Sequence, residues 1–238
     1  MKERVAIVTG ASRGIGKEIA IALAKDNFHL AIVARNKKIL DELAGELSKF
    51  NIRILCLDID LEKEDAAERI IEETMKAFGQ IDVLINNAGI GLNRSIEKSD
   101  PAAWNSIFYI NARAPYFLCQ KAIPFLRKSE HPVIINMGSV VDHKGYVNQS
   151  IYASSKHALA GFTRVLAKEV QHEKIRVHLV SPGGVNTDMV ADVRPDLNTN
   201  EMIQPEEIGE IILFLCNFNG NGTIDQIRIR RFNSVPFD

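Results

Sequence analysis

Val5-Ala6-Ile7-Val8-Thr9-Gly10-Ala11-Ser12-Arg13-Gly14-Ile15-Gly16 is the stretch on which the fold turns. It begins as a continuous apolar run, as expected of a strand covered on both faces. Glycines follow, and from Ile15 to Asp26 the apolar residues recur at helical spacing. Glycine lets a backbone turn sharply and approach a ligand with no Cβ in the way. A helix N-terminus then presents unpaired N–H groups and a positive dipole end, which suit a pyrophosphate. Gly10, Ser12, Arg13, Gly14, Ile15 and Gly16 are therefore candidate phosphate contacts. The spacing is Gly-x-x-x-Gly-x-Gly rather than the more familiar Gly-x-Gly-x-x-Gly, and its place between strand and helix is what gives it meaning. A tight strand-to-helix turn with no ligand is the competing reading.

Outward from this loop, short apolar runs alternate with longer periodic stretches. Leu30–Ala34, Arg53–Leu57, Val83–Ile85, Val133–Asn136 and Arg176–Ser181 read as strands. Lys37–Phe50, Glu64–Phe78, a stretch around Trp104–Arg127, and Tyr152–Gln171 read as helices. Pro115 and Pro124 fall inside the third of these and are expected to kink or divide it. Parallel strands need crossover connections that cover the sheet, so the alternation predicts an α/β domain with helices on a parallel sheet. No repeat, low-complexity tract or long linker interrupts it, and residues 1–238 are read as one domain. The least regular part is 183–204, with Pro195, Asn198 and Asn200. A loop of that length is a substrate lid or a plain surface loop.

Composition excludes several functions. Lys and Arg number 29 against 30 Asp and Glu, a net charge of −1, with no basic excess for nucleic acid. Cys56, Cys119 and Cys216 sit in apolar runs without CxxC spacing and read as buried thiols. The six histidines show no metal-ligand spacing, so no catalytic metal is expected. No apolar run reaches the ~18 residues of a membrane span. Met1-Lys2-Glu3-Arg4 leads directly into the first strand, which leaves no room for a signal peptide and makes a cytoplasmic location the expectation.

Further motifs follow in order: Asn86-Asn87-Ala88-Gly89, Ser139, Tyr152-Ala153-Ser154-Ser155-Lys156 and Ser181-Pro182-Gly183. With the glycine loop, they make the chain resemble the short-chain dehydrogenase/reductase family over nearly its whole length. The resemblance implies a doubly wound parallel sheet, a Rossmann fold, of about seven strands. It also implies a hydride-transfer enzyme acting on a carbonyl group, with Asn111, Ser139, Tyr152 and Lys156 at the chemical centre.

Physical chemistry agrees with that assignment. Residues four apart on a helix share a face, which brings Tyr152 and Lys156 together. A free tyrosine has a pKa near ~10, and a nearby ammonium and the positive nicotinamide ring of oxidised cofactor are both expected to lower it, so that Tyr152 exchanges a proton with the substrate oxygen. Ser139 would hydrogen-bond the same oxygen, and Lys156 would hold the cofactor ribose. Asn111, in Tyr109-Ile110-Asn111-Ala112, matches the family's asparagine that holds a relay water. Without the other motifs, Tyr152 and Lys156 read as an ordinary surface pair on an Ala-rich helix.

The resemblance assigns further cofactor contacts. Asp58-Ile59 would hold the adenine, and Asn87, Ala88 and Gly89 would line the cofactor cleft. Pro182, Gly183, Val185 and Thr187 would receive the nicotinamide end. The cofactor expected is NADPH/NADP. An NAD site normally carries an acid about 20 residues beyond the glycine loop. Here that point reads Val33-Ala34-Arg35-Asn36, and the next acid, Asp41, is already inside a helix. Arg35 can pair with a 2′-phosphate through its planar fork, with Arg13 reaching it from the other side and Lys37 or Lys38 assisting. Solvated surface arginines are the alternative.

The substrate is expected among Val140, Val141, His143, Gly145, Tyr146 and Gln149 and the 183–204 loop, with no arginine cluster placed to grip a phosphate or carboxylate. His143 reads as a solvated loop histidine ahead of a substrate wall. Family members of the 3-oxoacyl-carrier-protein reductase type usually end in paired glycines. Here Gly222–Phe232 keeps a final strand but not that ending, which leans toward small carbonyl reductases such as those resembling sepiapterin reductase. The run Arg228-Ile229-Arg230-Arg231 is read as a solvated edge strand, or else as a dock for an acidic carrier. The expected function is reduction of a small carbonyl compound, with 3-oxoacyl-carrier-protein reduction as the alternative. A nucleotide-binding scaffold without chemistry is disfavoured by intact Asn111, Ser139, Tyr152 and Lys156. A homodimer or homotetramer is expected, because such helices as Phe108–Leu126 and Tyr152–Gln171 pair across a two-fold axis in the family.

Overall fold

A computed structural model describes residues 3–193 and 198–236. The first half of the chain alternates β1 (Arg4–Thr9), α1 (Gly14–Lys25), β2 (Phe28–Ala34), α2 (Lys37–Leu47), β3 (Ile54–Asp58) and α3 (Ala66–Phe78). Then come β4 (Val83–Asn86), α4 (Pro101–Phe108), α5 (Ala114–Leu126), β5 (Val133–Met137) and α6 (Ser150–Glu169). The chain continues through β6 (Arg176–Pro182), α7 (Asp188–Val193), α8 (Pro205–Asn217) and β7 (Gln226–Ile229). The strands form one parallel sheet in the order β3-β2-β1-β4-β5-β6-β7. The order reverses between β1 and β4, and in such sheets ligands bind outside the carboxyl ends of the strands at that point.

Why these runs became central strands is visible residue by residue. Side chains alternate faces along a strand. Ala6 and Val8 therefore join one apolar cluster with Leu30, Ile32, Val83, Ile85, Val133 and Ile135, under α1, α2 and α8. Ile7, Ala31, Val33, Leu84 and Ile134 join a second cluster under α3, α5 and α6. A run that is apolar on both faces fits only between two layers of helices. Among the described residues, no helix is long and apolar enough to cross a membrane.

Helix starts follow local chemistry. Asn36 caps α2 by accepting from the Ile39 N–H at 3.3 Å. Asp100 caps α4 by accepting from the Ala103 N–H at 2.8 Å, with Pro101 at the first helical position. The long helix expected around Trp104–Arg127 is in fact two, α4 and α5, joined by a π turn over Tyr109–Arg113. Pro115 supplies a reason. It has no N–H to give the Asn111 carbonyl, and the Ala114 N–H bonds the Tyr109 carbonyl instead. Pro124 lies within the last turn of α5 without dividing it.

The described residues of the irregular segment 183–204, which are 183–193 and 198–204, are more ordered than the sequence indicated. They form α7, a short 3-10 turn at Thr199–Glu201, and a single bridge between Val185 and Ile203. Pro195 lies outside the described residues. Cys119 and Cys216 are buried thiols, and burial pushes both up to about 12, whereas Cys56 is only half-buried.

Candidate active site

The glycine loop leaves β1 at the switch point. Gly10 has φ +66°, and a Cβ added at Gly16 would lie 2.1 Å from the Gly10 carbonyl oxygen, so that position excludes any side chain. Unlike α2 and α4, α1 has no side-chain cap, and its first turn holds no acid. Its leading N–H groups thus face the cleft without an internal competitor. The loop is tied to the next strand by the Thr9 hydroxyl, which accepts from the Asn87 and Ala88 N–H groups at 3.0 and 3.1 Å. The Asn87 amide donates back to the Thr9 and Gly10 carbonyls at 3.0 and 3.3 Å, so its side chain serves the loop.

A cleft of about 470 Å³ runs along the strand ends from this loop. It brings together the predicted Gly10, Ser12, Arg13, Gly14, Ile15, Gly16, Arg35, Ile59, Asn87, Ala88 and Gly89. Its far end is formed by Ser139, Tyr152, Lys156, Pro182, Gly183, Val185 and Thr187. Asp58 is the exception: it ends β3 as an exposed residue, and Ile59, Asp60 and Leu61 form the wall instead. Asp58-Ile59 and Asp60-Leu61 are both an acid followed by an apolar residue, and only the end of the strand tells them apart. Another cavity, of about 440 Å³, lies by Arg4, Val133 and Arg176 at the opposite, N-terminal ends of the strands.

Ser139 emerges just beyond β5, opposite the α6 residues Tyr152 and Lys156, and its side chain hydrogen-bonds the Tyr152 phenol. Lys156 is buried, and its ammonium donates to the Met137 carbonyl at 2.7 Å and lies 6.0 Å from the Tyr152 ring centre. Burial pushes Lys156 down to about 8, against the attraction of the Asp142 carboxylate. The Tyr152 phenol is raised above its usual range, mainly by burial; the Ser139 hydrogen bond opposes this and Asp142 adds to it. The sequence reading expected a lowering by the ammonium. Desolvation of the phenolate is the largest influence on Tyr152, and Lys156 is engaged with the Met137 carbonyl.

Asn111 does not line the cleft. It is fully buried in the π turn, where its side chain accepts from the Ile90 N–H at 2.9 Å and donates to the Ile90 carbonyl and Ser155 hydroxyl, both at 3.0 Å. Any contact it makes with a relay water therefore comes from its backbone.

Sequence reasoning missed Asp142. This buried carboxylate accepts from the Ser139 N–H at 3.2 Å and from the Ser181 hydroxyl, and contacts His143 Nδ1 at 2.7 Å. The signal was present, since an acid three residues after a serine is a capping box, and here the two close on one another. Held this way, His143 is a partly buried cavity wall rather than a solvated loop residue.

A second cavity, of about 840 Å³, opens on the other side of Ser139 and Tyr152. The predicted Val141, His143, Tyr146 and Gln149 all line it, as do Met189 and Val190 of α7. The C-terminal segment lines it too, through Arg228, Arg230 and Arg231. The run does form a solvated edge, with Arg228 and Arg230 exposed, but it also borders the cavity, which corrects the expectation that the substrate side carries no arginine cluster. Pairing of β7 with β6 sets Arg228 beside Ser181, a tertiary fact invisible to local pattern.

Comparison with known proteins agrees with this geometry. A family model described as short chain dehydrogenase matches residues 4–198. The chain is 35% identical over 218 residues to carbonyl reductase family member 4 of Xenopus laevis, covering 89% of this chain and 90% of that one. It is 37% identical over 195 residues to a 3-oxoacyl-[acyl-carrier-protein] reductase of Bos taurus, covering 82% and 81%. L-sorbose reductase from Gluconobacter frateurii, solved with NADPH and L-sorbose, superposes with a TM-score of 0.88 at 27% identity over 99% and 98% of the two chains.

Proposed function

The chain belongs to the short chain dehydrogenase family, and from that premise we propose that it is an NADPH-dependent reductase of a small ketone or aldehyde. The observation that carries this reading is the convergence of Ser139, Tyr152 and Lys156 on the cleft that also holds the uncapped start of α1. Hydride exchange with a carbonyl carbon is the chemistry NADPH supplies when bound. The cleft suits it: the glycine loop would receive the pyrophosphate, and Lys156, which donates to the Met137 carbonyl through one of three N–H groups, would have donors left for the ribose.

The chain's own residues manage the substrate oxygen. Ser139 and Tyr152 donate hydrogen bonds to it, and the developing alkoxide takes its proton from Tyr152. The raised phenol keeps that proton on Tyr152 until the oxygen becomes basic enough to take it. Lys156, near about 8 and beside the phenol, favours the phenolate that remains. Pro115 denies the Asn111 carbonyl its helical donor, leaving an acceptor for a water that returns the proton from solvent.

Cofactor preference rests on Arg35 and Arg13 at the cleft, beside a β2 end that has no acid. Arg13 pairs with Asp188 at 3.2 Å, but both are about two-thirds exposed, and such pairs are weak enough to yield to a phosphate. Two charge-assisted contacts of about 1.5–3 kcal/mol each favour NADPH over NADH by at least tenfold. Measuring kcat/KM for both cofactors with a panel of diketones, quinones, pterins and acetoacetyl thioesters tests the activity and the preference together. An enzyme that favours NADH overturns the cofactor reading, and Arg13→Ala with Arg35→Asp should reverse the wild-type order. The bovine relative's name favours a second reading, reduction of a 3-oxoacyl thioester, which the same panel separates. We also infer a single domain and a homo-oligomer.

A further inference from the structure

We propose that the carbonyl substrate carries an oxyanion, carboxylate or phosphate, remote from its reacting carbon and held by Arg228 and Arg231. This rests on the reductase reading and names its substrate class. The cavity beyond Ser139 and Tyr152 is lined by Lys144, Arg228, Arg230 and Arg231 and, among the described residues, by no Asp or Glu. The whole chain has 29 basic and 30 acidic side chains, so this one-sided wall is local and does not reflect a basic protein.

The arginines divide the work. The Arg230 guanidinium donates to the carbonyls of Arg231, Phe232 and Ser234 at 3.0, 2.8 and 2.8 Å, curling the C-terminal segment over the cavity. Arg228 and Arg231 have no carboxylate partner among the described residues. Arg231 is partly buried, its Cδ within 3.7 Å of where a Cβ on Gly184 would stand. Backbone pairing fixes the segment to the chemical centre: the Gly183 N–H donates to the Ile229 carbonyl at 2.7 Å, and Arg228 stands in register with Ser181. The same cavity is also lined by the apolar Val141, Met189 and Val190. One cavity thus combines hydrogen-bonding, apolar and cationic walls, which fits a carbonyl group, a hydrocarbon or ring, and an anionic end. Planar guanidinium forks on a pre-ordered backbone suit such an anion; Arg228 is exposed, and at Arg231 partial burial limits screening by water.

The test compares matched pairs with NADPH: levulinate and longer keto acids against their methyl esters, and dihydroxyacetone phosphate against dihydroxyacetone. Phenanthrenequinone, which is uncharged, reports whether the chain reduces carbonyl compounds at all. Wild-type enzyme should favour the charged member of at least one series by tenfold or more in kcat/KM, mostly through KM, and the series that responds tells carboxylate from phosphate. Arg228→Gln with Arg231→Gln should erase the preference, and Arg231→Lys alone should keep part of it. Equal or better use of the neutral members in every series overturns the proposal, as does a preference that survives the double variant. If the quinone and every pair go unreduced, the reductase reading fails. Calorimetric binding of the same keto acids and esters to the wild-type protein then decides the anion site by itself: tighter binding of the acid upholds it, equal binding refutes it.

Discussion

Each group at the chemical centre is set by one or two neighbours. Tyr152 differs from Phe only in the hydroxyl that Ser139 contacts, so Tyr152→Phe removes the transferable proton and little else. We predict that it lowers kcat by at least about a hundredfold and leaves NADPH affinity within a fewfold. Lys156→Ala should harm both, because Lys156 stands beside the phenol and in the cofactor cleft. Steady-state kinetics and fluorescence titration separate the two variants, and near-normal turnover by Tyr152→Phe would sink the mechanism. Asp142 acts through its neighbours. Its negative charge raises the Tyr152 phenol and favours the Lys156 ammonium. Asp142→Asn removes that charge, so both groups lose their protons at lower pH. A general acid must be protonated, and the alkaline fall in kcat/KM for reduction should therefore begin at lower pH than in wild type. An unmoved alkaline limb would show that Asp142 only shapes the turn.

At the level of elements, the position of α1 matters most, because its N-terminus is the proposed phosphate site. One contact that positions it is with α8. A Cβ on Gly209 of α8 would meet the Glu18 carbonyl of α1 at 2.9 Å, so the two helices approach through backbone. Gly209→Leu must push them apart. We predict a loss of about 1–3 kcal/mol, as for other overpacked interiors. It should appear as a Tm lowered by several degrees and as weaker NADPH binding, since displacing α1 misaims its N–H groups. A variant with unchanged Tm and cofactor affinity would contradict this account of the helix pair. The π turn is the other decisive element: one proline at the start of α5 opens it, and it buries Asn111 where a regular helix would have rotated that residue elsewhere.

The whole molecule leaves one face unexplained by its own core. Trp104, Tyr109, Tyr116, Phe117 and Val165, on α4, α5, α6 and the turn between them, are 39–54% exposed. Large apolar groups gathered on one side of a chain mark an interface more often than solvent-facing surface. We predict a homodimer or homotetramer through this face. Light scattering should give a multiple of 26.5 kDa at working concentrations, and Tyr116→Glu with Phe117→Glu should shift the mass toward the monomer. A wild-type mass of 26.5 kDa across the concentration range would refute the assembly.

What the sequence determined by itself was whatever depends on local order along the chain. Apolar runs such as Val5–Thr9 had to be doubly covered strands, the glycine spacing had to make a close turn at a helix start, and Tyr152 and Lys156 had to share a helix face. These follow from periodicity and from the reach of neighbouring residues, which folding does not alter. Tertiary structure decided everything that depends on register or on distant approach. Only the end of β3 shows that Asp60, not Asp58, reaches the cleft wall. Only folding desolvates Tyr152 and Lys156 beside the Asp142 carboxylate, moving a phenol up where its neighbour in sequence suggested down. Only the pairing of β7 with β6 carries Arg228 and Arg231, nearly eighty residues beyond Tyr152, into the cavity opposite it. A run of arginines at a chain end looks the same in sequence whether it meets solvent or substrate, because what it faces is set by the strand it pairs with.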